Sequence, residues 1–189
     1  MDDFYRILAT YYDRLFPAEP HIVDFLADEF GGARTLIDAA CGTGNYTDAL
    51  TTRGFDCRGF DASEDMIDLA RSRAKRGKFE VRDLRRLGEL HGVSGEFGGL
   101  FCIGNSLPHL ANRDQVRQFF RDGAALLAPL APLVVQTVNF SRFAVRGDEV
   151  PLPPVEYPDI TMRRSYRRAD EPGTVLFHVE LVTGDGENA

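Results

Sequence analysis

The sequence has no excess of positive charge: 22 lysines and arginines stand against 29 aspartates and glutamates, a formal net charge of −7. A surface built to neutralise phosphates is normally basic, so nucleic acid is not an expected partner. Cysteine is sparse. Cys41, Cys57 and Cys102 lie far apart in apolar surroundings, with neither the close pairing of a zinc site nor the framework of a disulfide scaffold. They read as reduced, packed thiols of a cytoplasmic protein. No apolar run approaches the about 20 residues that span a bilayer, and the opening MDDFYRILATYYDRLF carries acids where a secretory leader carries bases. Neither export nor membrane insertion is expected. Internal repeats and low-complexity tracts are also missing. What remains is 189 residues, 43% hydrophobic and 27% charged, the composition of a single domain with a sizeable core.

Periodicity divides the chain. Phe4, Leu8, Tyr11, Tyr12 and Leu15 recur at helical spacing up to Pro17, and a second helix runs from about Glu19 to Phe30, ended by Gly31-Gly32. The pattern then alternates. Strands are expected at Thr35–Ala39, Phe55–Asp61, Lys78–Arg82, Gly99–Ile103 and Leu133–Val138, and helices at Asn45–Arg53, from Ser63 onward and at about Arg113–Leu127. Strand and helix in repeated alternation give an α/β fold, a doubly wound, mostly parallel sheet with helices on both faces. Asn139 to Asp159, with PLPP at its centre, reads as a long surface loop. Thr161–Arg168 and Thr174–Val182 read as an antiparallel C-terminal hairpin. The parts are therefore N-terminal helices over residues 1–33, a core over 34–138, and a loop and hairpin over 139–189 on the substrate side.

The stretch DAACGTGNYT, Asp38 to Thr47, fills the first strand-to-helix turn, the usual floor of the crevice in such a sheet. Gly42 and Gly44 let a ligand approach the backbone closely. A dinucleotide fingerprint needs a third glycine, and that position holds Thr47. Asp38 at the strand end is unsuited to a pyrophosphate and suits a ligand with positive charge. Asp61 ends the second strand about two dozen positions later, where a carboxylate accepts ribose hydroxyls. Ala62 and Met66 follow for the faces of a purine, and Asp83 ends the third strand. Ribose, adenine and a cationic tail together describe S-adenosylmethionine.

The runs TLIDAACGTGNYTDAL and GFDCRGFDASEDMIDLARSR resemble the cofactor-binding half of the class I S-adenosylmethionine-dependent methyltransferases. FEVRDLRRL is similar to their adenine-side segment, and FCIGNSLPHL to the segment after their fourth strand. The resemblance spans Tyr11 to Asn139. It implies a Rossmann-like fold and transfer of the cofactor's methyl group to nitrogen, oxygen or carbon of a small molecule. It also implies that Asp38, Ala40, Gly42 and Gly44 surround the methionine part, that Asp61 holds the ribose, and that Ala62 and Met66 flank the adenine. Asp83 and Leu84 would meet the adenine's amino edge, while Cys102 or Ile103, Gly104 and Asn105 close the methionine side. CIGNSLPHL with the later Asn139-Phe140 is similar to the glycine and sarcosine N-methyltransferase group and its small-molecule relatives. Val138 departs from that group, whose members carry a basic residue there for the substrate carboxylate, and this counts against glycine as acceptor. Gly98 replaces an acid often found at the start of the fourth strand. Relatives usually continue past the hairpin with a helix and an antiparallel strand pair; this sequence stops at Ala189.

Beyond that core, Tyr11 is a candidate to turn its ring toward the cofactor sulfonium as part of a lid, a cation–π contact of about 0.5–2 kcal/mol. Tyr12, Asn105, His109 and Asn139 are candidates for the acceptor side. Packing of an amphipathic helix accounts for the tyrosines equally well. The run Arg163–Arg168 puts Arg163, Ser165 and Arg167 on one strand face and Arg164, Tyr166 and Arg168 on the other, either a solvated stripe or a clamp for an anion. A sulfonium methyl is already electrophilic, so the chemistry needs alignment at about 3–3.5 Å and exclusion of water. No catalytic residue and no metal is assigned. Two other classes of function share the cofactor half: an RNA or protein methyltransferase, and a non-catalytic cofactor-binding subunit. A bare fifth strand also predicts an edge that the hairpin covers or that a homodimer closes.

Overall fold

Short apolar strands separated by helices build the observed architecture, a computed structural model that describes residues 2–73, 77–90, 95–140, 149–170 and 174–184. In chain order the elements are α1 (Asp2–Leu15), α2 (Pro20–Phe30), β1 (Thr35–Ala39), α3 (Asn45–Thr52), β2 (Asp56–Asp61), α4 (Glu64–Arg73), β3 (Lys78–Val81), β4 (Gly99–Cys102), α5 (Arg113–Leu126), β5 (Leu133–Val135), β6 (Glu149–Tyr157), β7 (Ile160–Arg168) and β8 (Val175–Thr183). Two 3₁₀ turns, Leu84–Glu89 and Leu107–His109, flank β4. The chain forms two compact units. One is Phe16–Thr137; the other combines Met1–Leu15 with Val138–Ala189.

In the first unit five parallel strands lie in the order β3-β2-β1-β4-β5. Alternation along the strands sends side chains to two cores. Leu36 and Phe101 join Val23, Leu26 and Phe30 of α2 and Leu50 of α3 on one face. Ile37, Leu100 and Cys102 join Phe119 and Leu126 of α5 and Leu87 on the other. Burying both faces is what makes these strands apolar runs rather than alternating ones. Helix ends follow their local chemistry. The N–H of Gly31 bonds the Ala27 carbonyl, the Asn112 side chain caps α5, and Ser63 Oγ accepts the Met66 N–H at 3.4 Å.

The second unit holds an antiparallel sheet in the order β6-β7-β8, with α1. Arg14 of α1 grips Asp159 in the β6–β7 turn with two bonds of 2.6 and 2.7 Å, and the Tyr157 hydroxyl donates to the Arg14 carbonyl at 2.8 Å. Ile160, Met162 and Leu181 are buried at this end of the sheet.

Three expectations change. The segment read as a loop contains β6, which pairs with β7 and shifts register between Leu152 and Val155, across Pro153-Pro154. Proline is tolerated on an edge strand and at a bulge, so the prolines that argued against a strand mark its edge position. Residues 141–148 of that segment lie outside the described residues. The expected strand Leu133–Val138 is only Leu133–Val135. The expected hairpin is β7-β8 of this three-stranded sheet, with β7 central and β8 an edge, and among the described residues β5 pairs with β4 alone.

Candidate functional site

Strand order reverses between β1 and β4, and Asp38, Ala40, Gly42, Gly44, Asp61, Asp83 and Asn105 lie at or just past the carboxyl ends of these strands and their neighbours. The loop after β1 is held in left-handed backbone at Ala40 (φ 64°), Gly42 (φ 56°) and Gly44 (φ 79°). Cys41 N–H bonds the Phe60 carbonyl of β2 at 2.9 Å, and Gly44 N–H bonds the Cys41 carbonyl at 2.9 Å. The loop is thereby turned back over β2 with backbone, not side chains, lining it.

Gly44 has a second reason to be glycine. An added Cβ there would lie 2.6 Å from the Phe79 ring and 3.4 Å from Ala70 Cβ. A side chain at Gly44 would therefore strike the protein's own core, whereas the sequence pointed to the ligand's volume. Gly59 is constrained from the other side, since a Cβ there would lie 2.9 Å from both Cys41 Sγ and Phe79.

Asp38 is 2% exposed. The Thr47 hydroxyl donates to its Oδ2 at 2.7 Å. Thr47 is the residue standing at the third-glycine position, and this bond is its role: it pins the strand-end acid to the first turn of α3. Burial pushes the Asp38 carboxyl up to about 7, opposed by the Thr47 hydrogen bond and reinforced by the charge of Asp61. Asp61 Oδ2 accepts the Gly42 N–H and its Oδ1 the Ser63 N–H, both at 2.9 Å. Burial raises its pKa against the backbone N–H groups of Ser63, Gly42 and Ala62. A carboxylate offers about four acceptor positions, and two of them here clamp the loop and the start of α4 to the end of β2.

The remaining predicted residues are distributed as follows. Ala62 is exposed and Met66 buried at the start of α4. Asp83 caps the turn Leu84–Glu89, accepting the Arg85 N–H at 2.8 Å, and its carboxylate is paired with the Arg85 guanidinium, which holds its pKa below the usual range. Leu84 packs against the α5-side core. The Cys102 side chain is fully buried in that core, its thiol pushed up to about 12 by burial, so the crevice end of β4 is formed by Ile103, Gly104 and Asn105. Gly104 and Asn105 are both left-handed, at φ 84° and 68°. Gln136, which the sequence reading passed over, accepts the Gly104 N–H on its Oε1 at 2.9 Å and fixes this turn; its position just past β5 was the available signal. His109 is exposed at the end of its 3₁₀ turn. Tyr11, Tyr12 and Asn139 belong to the other unit. Beside the crevice an open groove of about 400 Å³ is lined by Ile22 and Phe25 of α2, Ile103, and Val134 to Thr137. Among the described residues no cluster of histidine, cysteine or acids has the makings of a metal site.

Two strand-end acids, Asp38 and Asp61, beside the loop disfavour a pyrophosphate there. Residues 36–130 match the family described as methyltransferase domain. The chain belongs to this methyltransferase domain family. S-adenosylmethionine is the family's cofactor, and the chemistry of Asp38, Asp61 and the loop fits it. The domain is 31% identical over 123 residues to the glycine/sarcosine N-methyltransferase of Parasynechococcus marenigrum, covering 63% of this chain and 43% of that protein. It is 28% identical to the dTDP-3-amino-3,4,6-trideoxy-alpha-D-glucopyranose N,N-dimethyltransferase of Streptomyces venezuelae, covering 61% of this chain and 47% of that one. The chain spans about half the length of the curated relatives it matches. Its fold is similar to that of CalS10, an amino pentose methyltransferase from Micromonospora echinaspora, with a TM-score of 0.73 at 21% identity, covering 96% of this chain and 77% of that one. No helix among the described residues is long and apolar enough to cross a membrane.

Proposed function

We propose that this chain is the cofactor-binding and methyl-transferring part of a cytoplasmic S-adenosylmethionine-dependent methyltransferase acting on a nitrogen of a small molecule. The observation that carries the reading is a pair of strand-end acids at the switch point of the sheet, Asp38, buried and bonded by Thr47 of α3, and Asp61, half-buried and bonded by the Gly42 N–H of the glycine loop. Nitrogen as the acceptor atom is supported by the activities named for the relatives. Val138, in place of the basic residue of the glycine enzymes, argues for an acceptor other than glycine. Three unpaired cysteines suit a reducing compartment.

When bound, S-adenosylmethionine supplies a methyl group on a cationic sulfur. The chain's residues do the rest by position. Asp61 takes a ribose hydroxyl while keeping the Gly42 N–H, so the same carboxylate orders loop and ligand. Ala40, Gly42 and Gly44 bring backbone close to the methionine part, and Asp38 behind them supplies the negative field. Ala62 and Met66 flank the adenine, with Asp83 and Leu84 at its edge. Ile103 to Asn105, braced by Gln136, close the side on which the acceptor nitrogen must present its lone pair. In this proposal Tyr11 belongs to the cofactor side, Tyr12, Asn105, His109 and Asn139 to the acceptor side, and residues 139–189 form the substrate part of the domain. Calorimetry with S-adenosylmethionine and its demethylated product, followed by a methyl-transfer screen of small amines, tests the reading. Micromolar binding of both and turnover of an amine is the expected result; absence of cofactor binding overturns it.

A further inference from the structure

One face of the β6-β7-β8 sheet carries a charge among apolar neighbours. Arg164 and Tyr166 alternate onto that face with Ile160 and Met162; Leu152 and Val179 lie opposite Arg164, and Val150 and Phe177 opposite Tyr166. Arg164 sits mid-strand and half-buried. Its Nη2 donates to the Pro153 carbonyl at 3.3 Å, while its Nε is buried without a hydrogen-bond partner. The arginines on the opposite face are treated differently: Arg163 is paired with Glu180 and Arg167 with Glu149, each at 3.0 Å. Among the described residues, then, Arg163 and Arg167 of the opposite face are given acids, whereas no acid pairs with Arg164. Buried donors in native proteins are almost always satisfied, so an exception calls for a reason. Beside it stands a ring platform. The Tyr166 and Phe177 rings lie 4.9 Å apart at 30°, Phe140 meets Tyr166 edge-on at 5.5 Å, and Phe177 stays 42% exposed.

We propose that Arg164 anchors an oxyanion, phosphate or carboxylate, on a small molecule whose flat ring lies against the exposed Phe177, itself backed by Tyr166. The proposal goes beyond the reading above by naming a recognition residue and a ligand class for this sheet. A guanidinium presents a planar fork to either oxyanion, and apolar surroundings strengthen a charge-assisted bond. In a protein of net charge −7, an anionic ligand needs such a local cation. The ring platform supplies apolar area and stacking at little cost in side-chain order.

Calorimetric titration of the full chain decides it, with four probes: thymidine 5′-diphosphate, benzoate, inorganic pyrophosphate and thymidine. A ring-bearing anion should bind, at least about tenfold more tightly than either the anion or the ring alone. Preference for the diphosphate or for benzoate distinguishes phosphate from carboxylate. Arg164→Met should weaken that probe about 10- to 100-fold without changing S-adenosylmethionine affinity and without lowering the thermal midpoint, since the methionine keeps the stem's packing and removes an unpaired donor. Arg164→Lys should fall between. Equal binding by Arg164→Met, failure of both ring-bearing anions to bind, or a lowered midpoint in both variants overturns the proposal, the last by making Arg164 structural. Loss of S-adenosylmethionine binding by the unaltered chain counts instead against the methyltransferase reading, and the Arg164 comparison still stands on its own.

Discussion

At the residue scale, Asp38 is pulled in two directions. Burial raises its folded pKa from 3.8 to about 7. Between roughly pH 4 and 7 the folded chain therefore holds a proton that the unfolded chain has released, and stability should fall as pH rises through that window. A cationic ligand favours the ionised form instead. Affinity for S-adenosylmethionine should rise from pH 6 to pH 8, with proton release visible as a buffer-dependent binding enthalpy; a flat profile removes Asp38 from the site. Asp38→Asn should flatten the stability profile, adding on the order of 1–3 kcal/mol at pH 8 by urea unfolding. For Asp61 the two roles separate by substitution. Asp61→Asn should cost about 2–3 kcal/mol of cofactor binding, whereas Asp61→Ala should also lose about 1–3 kcal/mol of stability because the Gly42 and Ser63 N–H groups lose their acceptor. Both acids were legible because each closes a short apolar run. Asp83 was legible only as an acid after a strand, and that signature is the same whether the carboxylate faces a ligand or the next turn's N–H, as it does here with Arg85. Thr47 looked like a departure from a glycine pattern because its partner, Asp38, is nine positions away and only the fold brings the two together.

At the element scale, the loop after β1 is packed as tightly as a core. Gly44→Val should lower the thermal midpoint by several degrees or prevent folding, because the added carbon meets Phe79 and the backbone is left-handed. A Gly44→Val chain with unchanged midpoint and lost cofactor binding would return the glycine to the ligand side. Helix α1 is held at its end by an exposed clasp, Arg14 to Asp159, with the Tyr157 ring beneath. Arg14→Ala should speed amide exchange in α1 and leave the exchange of β1 and β4 unchanged; equal acceleration in both would mean that the clasp stabilises the whole chain. The parallel strands and their helices were readable from periodicity, since strands buried on both faces are nearly continuous apolar runs. β6 was not, because PVEY and its prolines carry no alternation and an edge strand at a bulge has no need of one.

At the scale of the whole molecule, β5 is the last strand of the parallel sheet and pairs with β4 alone among the described residues, with Ile22 and Phe25 of α2 and Val134 around the groove beside it. Sedimentation over a range of concentrations is expected to reveal a dimer, since an edge strand offers its backbone for pairing. A monomer at high concentration with strongly protected amides at residues 133–135 would overturn that expectation. The sequence pattern led to the edge but not to its fate, because which strands pair is decided by contacts between distant segments rather than by local preference.

The division of the chain has one more consequence. Phe16–Thr137 is a single continuous segment, whereas the other unit is assembled from both ends of the chain. On the ribosome the parallel sheet can close as soon as β5 has emerged, since synthesis runs from the N-terminus and domains generally fold as units. Helix α1 is made before the parallel sheet, yet its clasp at Asp159 is synthesised only after the whole of it. The helix thus waits through the synthesis of an entire folding unit before its partner leaves the exit tunnel.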